Sequence, residues 1–94
     1  MKKFETGSIY VTDGVNEKLL EDAEFSFFVS HSLERHQIGD WGDLDEEDKE
    51  MNNRALRHSD DRLFSKYCFD TNTSIYIITE WDRSCTTILF PDEY

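Results

Sequence analysis

Seven carboxylates crowd one stretch of the chain: Asp40, Asp43, Asp45, Glu46, Glu47, Asp48 and Glu50. Such a run suits either a hard cation, which takes oxygen ligands, or a basic protein surface. The calcium-loop pattern sets ligands at alternating positions around a central glycine, and here Trp41 and Leu44 interrupt it. No metal site is therefore assigned. Two readings stay open for the run: a capped helix with a solvated acidic face, or a contact surface for a basic partner. In the second reading the contact residues are Asp40, Trp41, Asp43, Asp45, Glu46, Glu47 and Glu50. His31 and His36 are five residues apart and so do not share a helix face as zinc ligands at i, i+4 do. His36 falls on an apolar stripe beside a glycine loop, which favours a structural histidine bonded to backbone. Neither Cys68 nor Cys85 belongs to a CxxC motif, Ser84 has no nucleophile-elbow context, and no phosphate-cradling glycine loop is present. No catalytic residue and no cofactor are assigned. A second candidate site lies between the 36–43 loop and the 80–86 hairpin, with His36, Glu80, Asp82 and Arg83 as its polar groups. Arg83 there either pairs with neighbouring acids or meets a substrate carboxylate or phosphate. Trp41 and Trp81 sit in expected loops, where each is either a binding anchor or a lid on a small core.

Residues 4–12 alternate Ile9 and Val11 with Ser8, Tyr10 and Thr12, which predicts a strand closed by Asp13-Gly14. One or two helical turns are expected from Val15 to Asp22. Residues 24–38 place Phe25, Phe28, Val29, Leu33 and His36 on one helical face, and Gly39 ends that helix. Asp43 or Asp45 caps a further helix over 45–57, with Leu44, Met51 and Ala55 inward, an acidic first turn and a basic last one. Three strands follow, at 62–69, 74–80 and 85–90, joined by short turns at Asp70–Thr73 and Asp82–Ser84. The expected fold is α+β: a single domain over 1–94, β-α-α-β-β-β, with one antiparallel sheet and helices on one face. The strand 4–12 or the strand 85–90 would be an edge able to pair with a second copy in a homodimer.

The chain as a whole sets limits on partners. Acids outnumber bases 21 to 10 and the net charge is −11, which argues against direct nucleic-acid binding and against attachment to an anionic membrane surface. Hydrophobic residues make up 37% and aromatics 14%, enough for a folded core and too many for a disordered acidic tail. The start Met1-Lys2-Lys3-Phe4 has no apolar run of the signal-peptide kind. A reducing, cytoplasmic setting is expected, with both cysteines unpaired.

The run His36-Gln37-Ile38-Gly39-Asp40-Trp41-Gly42-Asp43-Leu44, followed by Glu47-Asp48 and Asn52, resembles a family of small bacterial proteins from plasmids, phages and integrative elements. The run Ile77–Tyr94, with Glu80-Trp81-Asp82-Arg83-Ser84-Cys85 at its turn, resembles the same family. Its members are often labelled plasmid-related protein or type I restriction endonuclease subunit M. Trp81 and Cys85 stand where the family pattern has small residues. A chain of 94 residues cannot hold a methyltransferase domain, so the restriction label does not fit. The resemblance implies a mobile-element setting, where small acidic proteins counter host defence by occupying nucleic-acid-binding surfaces of nucleases. The expected function is thus a non-enzymatic anti-CRISPR or anti-restriction inhibitor, whose partner is a basic surface of a host nuclease complex. The alternative is a small-molecule-binding domain or minor enzyme at the 36–43 and 80–86 turns.

Overall fold

Alternating β-branched and aromatic residues form strands close to where the pattern places them. In the computed structural model, which describes residues 1–94, β1 is Ser8–Val11, β2 Leu63–Cys68, β3 Ser74–Thr79 and β4 Cys85–Leu89. The last three make an antiparallel meander, with Ser65 opposite Ile77 and Ile77 opposite Ile88. β1 lies parallel to β4, Ile9 opposite Thr86 and Val11 opposite Ile88, so the order is β1-β4-β3-β2. The sheet is therefore mixed, not purely antiparallel as expected. No hairpin forces β1 to run antiparallel, because three helices intervene before the meander begins, and a long helical crossover permits parallel pairing. The same topology puts 85–90 in the middle of the sheet. Of the two strands expected at an edge, only β1 is one; the other edge is β2.

The helices are α1 (Asp13–Glu21), α2 (Ala23–Gln37) and α3 (Glu46–His58). Asp22 divides the first two. Its backbone N–H closes α1 on Lys18, and its carboxylate accepts the Phe25 N–H to cap α2. That N–H holds the Asp22 carboxyl below its usual pKa. α2 buries Phe25, Val29, Ser32 and His36, one stripe at helical spacing. Val15, Phe25 and Val29 pack on Tyr67, Ile75, Ile77 and Ile88 to form the main core, so α1 and α2 cover one face of the sheet.

α3 is placed differently. It begins at Asp45, whose carboxylate accepts the Asp48 N–H, and ends at Ser59 in the left-handed conformation. Its buried stripe is only Asn52 and Ala55, because it flanks the β2 edge and does not cover the sheet face. Ala55 joins Trp41 and Leu63 in a smaller second core. Met51, expected to face inward, is 56% exposed for that reason. A final 3-10 turn at Pro91–Glu93 brings Tyr94 back onto the sheet face that α1 and α2 leave open, against Phe64 and Tyr76.

Candidate functional site

The 39–44 loop is occupied with closing the β2 edge. Lys66 N–H donates to the Trp41 carbonyl at 3.2 Å, and Asp43 N–H donates to the Lys66 carbonyl at 2.7 Å. One pair further along, the Asn52 side chain stands in for a neighbouring strand. It donates to the Phe64 carbonyl at 2.6 Å and accepts the Phe64 N–H at 3.0 Å. This backbone pairing turns the Trp41 indole inward, where it is 3% exposed, stacked on Phe4 and donating to Asn53 Oδ1 at 2.9 Å. Trp41 is therefore a core residue and not the contact anchor of the sequence reading. Asp40 is also engaged. Arg35 grips it with Nε and Nη2, at 2.7 and 3.1 Å, and holds its carboxyl below the ordinary range.

His36 lies at the centre of a buried string of polar side chains. Its Nδ1 is 2.5 Å from Ser65 Oγ and its Nε2 is 2.9 Å from Thr79 Oγ1. Thr79 and Thr86 hydroxyls are 2.7 Å apart, and Thr86 donates to the Thr6 carbonyl at 2.8 Å. A carbonyl only accepts, so the direction of the whole string follows. Thr86 must accept from Thr79 and Thr79 from His36 Nε2–H, which leaves Nδ1 of an uncharged ring to accept from Ser65. The ring is neutral in this arrangement. Burial pushes its pKa down to about 3, and the nearby Arg83 charge adds to the effect.

Arg83 occupies the left-handed region at φ 60 and points its guanidinium back at four carbonyls. Nη1 donates to Asp61 (2.7 Å), Trp81 (3.1 Å) and Glu80 (3.2 Å), and Nη2 to Ala55 (3.2 Å). It ties the β3–β4 hairpin to the last turn of α3. Glu80 and Asp82 are exposed, and Asp82 accepts the Ser84 N–H at 3.0 Å. His36 of the 36–43 segment reaches Thr86 of the 80–86 segment only by way of Thr79 on β3, which is hydrogen-bonded to both. No cavity is lined by His36, Glu80, Asp82 or Arg83. His36 and Arg83 of the second candidate site are therefore engaged in structural ties, while Glu80 and Asp82 stay exposed.

The acidic run is thinner in charge than its composition suggests. Glu46 lies 3.7 Å from Lys49 and Glu50 3.3 Å from Arg57, while Asp45 caps α3. Asp43, Glu47 and Asp48 remain exposed and without an ion-pair partner. Asp43 sits beside the Cys68 thiol and pushes its pKa up. No group of three or more His, Cys, Asp or Glu side chains is arranged to hold a metal ion.

What the run does border is an open groove of about 360 Å³ between α3 and the uncovered sheet face. Leu44, Met51, Phe64, Tyr76 and Tyr94 make its apolar lining, and Asp48 and Asp61 its acidic rim. Phe64 and Tyr76 rings are 4.7 Å apart, and Tyr94 meets both edge-on. Arg62 lies across this cluster, 5.9 Å from the Phe64 ring and 5.6 Å from the Tyr94 ring, and donates to Tyr94 Oη at 2.6 Å. The outward alternation of Phe64 and Tyr76 was a visible signal for this groove. The return of Tyr94 was not, since it depends on the turn at Pro91. No helix is long and apolar enough to cross a membrane. No family model matches the chain, and no curated protein or solved structure matches it either.

Proposed function

We propose that the protein is a non-enzymatic interaction module that docks a basic segment of a protein partner in the groove between α3 and the open sheet face. One observation carries this reading: the groove is aromatic, rimmed by Asp48 and Asp61, and already spanned by the protein's own Arg62. Cations rest favourably on ring faces beside carboxylates, so an arginine or lysine of a partner finds there the surroundings Arg62 already uses. The unpaired Asp43 and Glu47 extend the negative field beyond the rim. A net charge of −11 draws a basic partner in and disfavours an acidic one. A partner surface that otherwise binds nucleic acid, as in a host defence nuclease, has the complementary charge. The mobile-element resemblance points the same way.

The test is capture of host nuclease complexes from a bacterial lysate by the wild type and by an Asp48→Lys/Asp61→Lys variant. Both carboxylates are on the surface, so the variant should fold. Capture at low salt is expected to weaken on the order of 10-fold or more at high salt, and similarly in the variant, since rim charges act mainly through screened attraction. A partner held equally by both proteins, or held regardless of salt, would overturn the reading.

A further inference from the structure

We infer that the protein has a second docking surface, on the outer side of α1 and α2, and that it takes an amphipathic basic helix of a protein partner. The starting point is an anomaly of exposure. Leu20 and Phe27 are each 81% exposed, on consecutive helices, in a chain whose other α2 phenylalanines turn toward the core. Phe27 stands two residues from both Phe25 and Val29, which puts it on the side of α2 opposite the core. Beside it on the same outward stripe are Ala23, Ser26 and Ser30, all small, and they line a shallow channel with Leu20. A channel of small residues between two large apolar ones lets another helix come close with an apolar side chain between Leu20 and Phe27.

Charge decides which helix. Glu21 and Glu34 line the channel and Glu24 is exposed in the first turn of α2. None of the three is in an ion pair, and no lysine or arginine lines the channel. A second copy of the chain would set glutamates against glutamates, and an anionic lipid surface would be repelled as well. A helix with an apolar stripe flanked by lysines or arginines satisfies both features. The helices that carry this surface cover the sheet face opposite the aromatic groove, so it neither depends on the groove nor competes with it. With both occupied, the protein would bridge two basic partners.

The probe is a designed leucine–lysine amphipathic helical peptide, titrated into the isotopically labelled full chain, with a leucine–glutamate peptide as control. The expected result is amide shifts centred on Leu20, Ala23, Phe27 and His31. Affinity should fall at least about 10-fold in a Leu20→Ser/Phe27→Ser variant, the usual loss when apolar anchors are removed. It should fall likewise in Glu21→Lys/Glu24→Lys, whose substitutions are exposed and cannot disturb the core. Asp48→Lys/Asp61→Lys should bind this peptide's α1–α2 site as the wild type does, which separates failure of this surface from failure of the groove. Shifts confined to the α3 groove, equal binding of the acidic peptide, unchanged affinity in the serine variant, or no binding would each overturn the inference. So would a self-association that the serine variant abolishes, which would make the occupant a second copy.

Discussion

At the scale of single residues, His36 shows how a titratable side chain is spent on architecture. Both ring nitrogens are bonded and the ring is fully buried, so a second proton would place a charge out of reach of water. Its pKa is about 3 in the fold against 6.5 in the unfolded chain. Between those values the unfolded state binds more protons, and stability rises with pH. The His36 contribution is therefore complete above pH 6.5 and is lost as pH falls toward 3, at about 1.4 kcal/mol per pH unit and on the order of 5 kcal/mol in all. Asp22, Asp40, Asp82 and Glu93 also have lowered pKa values, and they too lose stability in acid, but at the lower pH where carboxylates titrate. A His36→Gln variant separates the two. It should be less stable at pH 7 by about 1–3 kcal/mol, from imperfectly paired Ser65 and Thr79. It should also lose much less than the wild type between pH 6.5 and pH 4.5. Urea midpoints across that range give the answer, and parallel curves would mean that His36 is already charged in the fold.

At the scale of elements, the β2 edge explains what the most recognisable stretch of the sequence does. Gly42 has φ +78, and a Cβ there would lie 1.9 Å from the Lys66 carbonyl and 2.8 Å from the Tyr67 ring. Gly39 has a similar φ of +80 but meets nothing nearer than the flexible Lys3 side chain at 3.5 Å. Gly42→Ala should thus cost more than about 4 kcal/mol or prevent folding, whereas Gly39→Ala should cost only the left-handed strain of about 1–2 kcal/mol. Equal denaturation midpoints for the two would show that the loop does not press on β2. The helices, the three-stranded meander and the capping of α3 by Asp45 were legible because each rests on local pattern: period 3.6, period 2, or an oxygen before the first helical turn. The burial of Trp41, the parallel β1 and the role of Arg83 were not, because each depends on which segments meet across the fold. Asp40 and Trp41 read as contact chemistry in one dimension and as ties in three, while Arg83, open to a structural pairing with acids, ties backbone carbonyls instead. Of the groove, Asp48 lay in the acidic run and Phe64 and Tyr76 in an alternating strand, but only folding sets them beside Tyr94.

At the scale of the whole molecule, four ion pairs are made, so most of the 21 acids have no cationic partner. They are also spread about: Glu17, Glu21, Glu24 and Glu34 on α1 and α2, Glu47 and Asp48 on α3, Asp60, Asp61, Glu80 and Asp82 around the hairpin. The molecule measures 39 × 26 × 26 Å. At 0.01 M salt the screening length is about 30 Å, so nearly all these carboxylates repel one another, while at 0.15 M it is about 8 Å and only neighbours do. Raising salt across that range should stabilise the fold on the order of 1 kcal/mol, which is about 4–8 °C in Tm for a domain of this size. Sodium and potassium chloride should act alike, and magnesium chloride should do no more at equal ionic strength, because the effect is screening. A gain at micromolar divalent cation would instead reveal a specific ion site, and no gain at all would mean that the surplus charge is neutralised locally. The same salt should weaken any basic partner held in the groove or on α1 and α2. Fold stability and the proposed partner affinity should therefore respond to ionic strength with opposite sign.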